Sequence, residues 1–141
     1  MASADDSVII VREEERGFAA AGHLVNAVPF WGFIFLMGIW LYFKERSREV
    51  IFHVQQAVVF QMVFLCVGVF TLALEILFRV VSVVHEGIGT FLSHANVFFF
   101  MTAYTIYAAV CIWAAVTTWM GRPFLYPYIG RRVLEGNLTK R

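Results

Sequence analysis

The chain has 141 residues, of which 60% are hydrophobic and 15% charged, and Phe alone fills 15 positions. Soluble domains carry roughly 45–50% apolar and about 25% charged residues, so this composition excludes an ordinary soluble domain. The net charge of +1 is spread without a basic stretch of the kind that nucleic-acid binding needs, and the long runs with almost no charge point to membrane spans.

Residues 1–17 form a polar tail in which Asp5, Asp6, Glu13, Glu14 and Glu15 outnumber Arg12 and Arg16. A secretory signal starts with a positive region and a longer apolar core, so none is expected here, and Ala2 excludes myristoylation. A short helix before the membrane is expected around residues 8–16.

The first span is predicted over residues 18–43. At 1.5 Å per residue, 26 residues exceed the ~20 needed to cross ~30 Å of hydrocarbon. Pro29 lies near its middle, where a missing N–H and the ring kink a helix. His23 and Asn26 lie in its first half. Trp40 and Tyr42 beside Lys44 have the pattern of an aromatic belt with a basic anchor.

A basic turn, Lys44-Glu45-Arg46-Ser47, leads to the second span, predicted over 50–74 with a helical extension to 84. Its first turns carry His53, Gln55, Gln56 and Gln61, polar groups that are costly in a membrane unless partnered. At 100° per residue His53, Ala57, Phe60, Phe64, Gly68, Thr71, Glu75 and Ser82 share one face, which is expected to pack on protein. Glu75 and Arg79 have the i, i+4 spacing of an ion pair.

Residues 85–96 read as a loop marked by Gly87 and Gly89. The third span is predicted over 97–120, without a charged residue and with small pairs at Thr105/Ala109, Cys111/Ala115 and Ala114/Thr118 that allow close helix approach. Cys66 and Cys111 sit in apolar runs and read as small hydrophobes. Trp119, Arg122 and Pro123 mark an interface and a helix stop. Residues 121–141 form a basic tail starting with an aromatic segment on the membrane surface. Asn137-Leu138-Thr139 fits a glycosylation pattern that a cytoplasmic tail would leave unused.

The fold expectation is therefore all-α, a polytopic integral membrane protein with three transmembrane helices spanning residues 18–120. The side holding Lys44, Arg46, Arg48, Arg122, Arg131, Arg132, Lys140 and Arg141 is the basic one. The positive-inside rule then puts the N-terminus outside and the C-terminus in the cytoplasm of a bacterial inner membrane. Trp40, Lys44, Arg46, Arg48, Trp119, Arg122, Arg131 and Arg132 are the expected headgroup anchors.

Ile51-Phe52-His53-Val54-Gln55-Gln56-Ala57-Val58 resembles the Phe-His-x-x-Gln-Ala signature of a group of small bacterial membrane proteins of uncharacterised function. That group is related to the channel-like twenty-kilodalton subunit of the chloroplast inner-envelope import translocon. Ala21-Gly22-His23-Leu24 resembles the start of that group's first span, and Gly121-Arg122-Pro123 with Tyr126-Pro127-Tyr128 resembles its closing pattern. The resemblance covers roughly residues 18–133. It implies a membrane fold and a transport or protein-translocation component.

Two roles are open to His53, Gln55, Gln56 and Gln61: a network that fixes the start of the second helix, or a polar face that meets a partner. The sites expected from these residues are Phe52, His53, Gln56, Ala57 and Gln61 as a partner contact, and His23, Asn26, Glu75 and Arg79 as a polar contact on the outer face. Ligation of heme or chlorophyll by His53 or His23 is a third reading, since a neutral imidazole ligates such metals; no other cofactor and no metal site is expected. No nucleophile elbow, HExxH or phosphate loop is present, so the chain is read as non-enzymatic. The leading expectation is an accessory or scaffold subunit of a membrane complex, contacting other integral membrane subunits or itself and membrane lipids.

Overall fold

The structure is a computed structural model that describes residues 11–138. Asp5, Asp6, Thr139, Lys140 and Arg141, and the part of the expected pre-membrane helix before residue 11, lie outside the described residues. Among the described residues all regular structure is helical. A one-turn 3-10 helix, Glu13–Glu15, precedes α1 (Arg16–Asn26), α2 (Trp31–Phe43), α3 (Arg48–Val84), α4 (Glu86–Trp119) and α5 (Ile129–Leu138). The chain divides into two units, Met1–Gln61 with Ala108–Arg141, and Met62–Tyr107.

In the first unit, the single kinked span expected over residues 18–43 is instead a helical hairpin. Pro29 lacks an N–H and biases Val28 away from helical backbone. Phe30 then takes φ 77°, a left-handed value uncommon for a bulky residue. The chain reverses, and α2 runs antiparallel to α1. The rings of Phe18 and Phe43 sit 4.9 Å apart at the open end. Leu36 packs on Gly22, and Gly32 meets the Val25 carbonyl so closely that a Cβ would strike it. The two helices have 11 and 13 residues, about 16 and 20 Å, so neither alone covers ~30 Å of hydrocarbon.

The turn after α2 works as the sequence suggests. Ser47 caps α3: its hydroxyl accepts from the Val50 N–H at 3.3 Å and also donates to the Glu15 carboxylate. At the far end of the chain, Gly121 adopts φ 71°. The Gly121 N–H reaches the Thr118 carbonyl at 3.0 Å and the Arg122 N–H reaches Thr117 at 3.1 Å, the Schellman pattern that ends a helix. The Arg16 side chain lies over Gly121, and Gly17 faces Trp119. Residues 15–17, 47 and 119–121 thus gather at one end of this unit. A single crossing over residues 18–43 would separate residues near 16 from those near 46, whereas here Glu15 and Ser47 are bonded. A buried apolar core of Val11, Ala19, Leu36, Phe43, Val50, Val54 and Ala57 ties α1, α2 and the start of α3 together.

In the second unit, α3 and α4 run antiparallel and only His85 separates them. The rungs are Phe64 stacked on Tyr107 at 4.2 Å, Asn96 donating to the Thr71 carbonyl at 2.9 Å and Ser93 donating to Glu75 at 2.7 Å. The loop expected over 85–96 is therefore helix beyond His85. Gly89 does not make a turn; it lets α4 approach the Ser82 backbone, where a Cβ would collide. The shared face read from the sequence is present: His53, Ala57, Phe64 and Thr71 are buried and Phe60, Gly68, Glu75 and Ser82 half-buried. On α4, Cys111, Ala114, Ala115 and Thr118 are buried, whereas Thr105, Ala109 and also Cys66 on α3 are on the outside or partly so.

Helices α3 and α4 have 37 and 34 residues and are apolar enough to cross a membrane. Their most apolar windows are only 22% and 17% buried. Val69, Phe70, Leu72, Ile76, Val80, Phe98 and Ile106 are each at least 60% exposed. Water-soluble monomers rarely expose apolar surface so continuously.

Candidate functional site

The family-like motif on α3 is entirely buried. Phe52, His53, Gln56, Ala57 and Gln61 are each no more than 1% exposed. These positions follow helical spacing, so one side of the first four turns of α3 faces inward. Their polar partners come from two other segments.

His53 Nδ1 lies 3.0 Å from His23 Nε2 on α1. His23 Nδ1 lies 3.1 Å from the Tyr126 hydroxyl, in the segment between α4 and α5. The Tyr126 N–H donates to Gln56 Oε1 at 3.1 Å. Three segments distant in sequence are thereby joined in one chain of polar contacts. Aromatic rings enclose it: Phe124 and Tyr126 pack edge-on against His23, and Phe60 stacks on Tyr126 at 4.3 Å. Asn26, one helical turn beyond His23, donates to the Cys111 sulfur on α4 at 3.6 Å.

The chemistry of this centre follows from donor and acceptor supply. Each facing pair needs one N–H or O–H and one lone pair. Two proton orders satisfy Tyr126–His23–His53: Tyr126 donates to His23, which donates to His53, or both bonds reverse. At the His–His contact one ring supplies the N–H and the other the lone pair, because two N–H groups there would oppose each other. The arrangement is a bridge that stores one of two tautomeric orders. Both nitrogens of His23 and Nδ1 of His53 take part in it. Among the described residues no cluster of three or more His, Cys, Asp or Glu side chains could hold a metal.

The centre is not fully satisfied internally. Gln56 Nε2, both amide atoms of Gln61 and the Thr118 hydroxyl are buried without a hydrogen-bond partner among the described residues. Each such group costs about 1–3 kcal/mol.

The outer-face set expected from the sequence divides. Arg79 bonds Glu75 at 3.1 Å as its spacing predicts. Glu75 also accepts from Ser93, and Asn96 approaches it at 3.5 Å. His23 and Asn26 do not join this group; their partners are Tyr126, His53 and Cys111. The anchor residues are at the surface: Lys44, Arg46, Arg48, Trp119, Arg122, Arg131 and Arg132 are exposed and Trp40 is half-buried. Arg46 lies 4.2 Å above the Tyr42 ring.

Tyr126 is the residue that the sequence reading placed wrongly. It was expected on the membrane surface with the tail, yet it is 1% exposed. The Schellman turn at Gly121 directs the chain back onto α1 and α3. The Tyr126-Pro127-Tyr128 pattern was the available signal.

No curated protein and no solved structure matches the chain. The model of the magnetosome magnetite crystal formation protein family matches residues 14–133, which contain every residue of the centre just described. That match corrects the resemblance to the chloroplast import translocon subunit, and the transport or translocation role implied by it loses its basis. The Phe-His-x-x-Gln-Ala motif, the His23 segment and the Tyr126 segment all lie within the matched residues, and the chain belongs to the magnetosome magnetite crystal formation protein family.

Proposed function

We propose that this chain is a non-enzymatic scaffold or accessory subunit in magnetosome magnetite formation, held in a bacterial membrane and acting through helix contacts with other integral membrane subunits or with itself. The observation that carries this reading is the pairing of an interior polar centre with long, exposed apolar faces on α3 and α4. His23, His53, Tyr126 and the Gln56 side-chain carbonyl oxygen bond one another, which suits a structural organiser. The surface residues of α3 and α4 are lipid-like in chemistry along most of their length, which suits lateral contacts within a bilayer.

In this proposal α3 and α4 are the crossing helices, and the α1–α2 hairpin enters the membrane and returns to the side it came from. Ten of the eleven Lys and Arg residues lie outside residues 49–121, and Arg79 is the exception. The positive-inside rule then favours a cytoplasmic position for the segments around residues 16, 46 and 122.

The test is affinity purification from a magnetite-forming bacterium in mild detergent, followed by mass spectrometry of the intact assembly. The expected result is a stable complex with membrane subunits or a defined homo-oligomer. Recovery as a lone monomer, with crystals of normal size and shape after deletion of the gene, would overturn the proposal.

A further inference from the structure

A second feature of the first unit is not used by the polar centre. An open groove of about 340 Å³ lies between α1 and the last turns of α4, lined by Gly17, Ala20, Ala21, Leu24, Ala115 and Trp119 among others. Its lining is almost purely apolar, and Gly17 to Leu24 spans about 10 Å of helix. The groove ends where Gly17 meets Trp119. There the Arg16 guanidinium lies over Gly121, and Arg122 follows as an exposed residue. Among the described residues neither arginine has a carboxylate within ion-pair distance. Arg16 has one long contact, Nε to the Val11 carbonyl at 3.4 Å. The acids nearest in sequence are Glu13, Glu14 and Glu15, and Glu15 is held by Ser47 and Arg12.

We propose that this groove binds one acyl chain of an anionic phospholipid, with the phosphate held by Arg16 and Arg122. An apolar trough ending in two uncompensated guanidiniums beside a tryptophan matches an acyl chain, an interface and a phosphate in that order. A neutral lipid or an apolar helix would fill the trough but leave the charge unused. The site rests on the membrane placement proposed above.

The experiment uses the full chain with Trp31, Trp40 and Trp113 changed to Phe, leaving Trp119 as the only fluorescent indole. The protein is placed in phosphatidylcholine vesicles containing a minor fraction of phosphatidylglycerol, with bromine on the acyl chains of one lipid or the other. Brominated phosphatidylglycerol should quench Trp119 at lower mole fraction than brominated phosphatidylcholine, by about fivefold for each arginine. R16Q should reduce that preference by about fivefold and R16Q/R122Q should abolish it. A21L, which fills the groove, should reduce quenching by both lipids, with far-UV circular dichroism verifying the fold. Equal quenching by the two lipids, or a preference untouched by R16Q, overturns the site. Loss of quenching as protein density rises, with a doubled mass, would assign the groove to a second copy and also overturn it. Failure of the protein to float with the vesicles would instead overturn the membrane placement.

Discussion

His23 Nε2 lies 3.0 Å from His53 Nδ1, and the two rings meet edge-on at 90°. The contact joins α1 to α3 across 30 residues of sequence, and Tyr126 extends it to the segment after α4. All three side chains are essentially inaccessible. Water therefore cannot replace a lost partner, and truncation leaves the remaining group unpaired.

Tyr126→Phe keeps the ring stacked on Phe60 and removes only the hydroxyl. It should cost about 1 kcal/mol of stability. His53→Ala removes a ring from a packed interior and leaves His23 Nε2 without a partner, so its cost should be about 2–4 kcal/mol. Thermal melting in detergent measures both. In a double-mutant cycle, Tyr126→Phe and His23→Ala should couple by at least about 0.5 kcal/mol; strict additivity would show that the hydroxyl contact carries no energy.

How far the sequence reveals this centre differs by residue. His53, Gln56 and Gln61 are legible because polar side chains at the start of an apolar helix need partners, and their helical spacing puts them on one face. The partners are not legible. Tyr126 reaches Gln56 across 70 residues, through a reversal set by one left-handed glycine, and no local periodicity encodes that return. The α1–α2 hairpin is hidden for a related reason. Residues 18–43 are apolar throughout, so hydropathy reads one span, while Pro29 and Phe30 break it into two. The inward face of α3 was legible because it depends only on helical period.

The two glycines at the α3–α4 connection should respond oppositely to alanine. Gly87 has open space around it, whereas a Cβ at Gly89 would collide with the Ser82 backbone. Gly89→Ala should destabilise by about 1–3 kcal/mol through overpacking. Gly87→Ala should be neutral or stabilising by up to about 1 kcal/mol from helix propensity. Equal effects in melting experiments would return residues 85–96 to the loop first read from their glycines.

Gly32 and Gly38 make the same kind of pair inside α2. Gly32 faces the Val25 carbonyl across the hairpin, and nothing surrounds Gly38. Gly32→Ala should force α1 and α2 apart and lower the melting temperature, while Gly38→Ala should raise or preserve it. If Gly32→Ala were silent, residues 18–43 would not be folded back as described.

Topology gives the sharpest test of that hairpin. Reporter fusions after residues 10, 46, 90 and 135 separate the two arrangements. One continuous span over 18–43 would place residue 10 opposite residue 46. The hairpin returns the chain to its starting side: Glu15 is bonded to Ser47, and Arg16 lies over Gly121. The expected result is therefore a cytoplasmic signal at 10, 46 and 135 and an external signal at 90. Positive charge supports this assignment, since Arg12, Arg16, Lys44, Arg46, Arg48 and Arg122 would all lie on the cytoplasmic side. An external signal at residue 10 with a cytoplasmic one at 46 would restore the three-span arrangement. The Ser47–Glu15 bond would then have to be absent in the membrane, and Ser47→Ala would cost only the helix cap, about 0.5–2 kcal/mol.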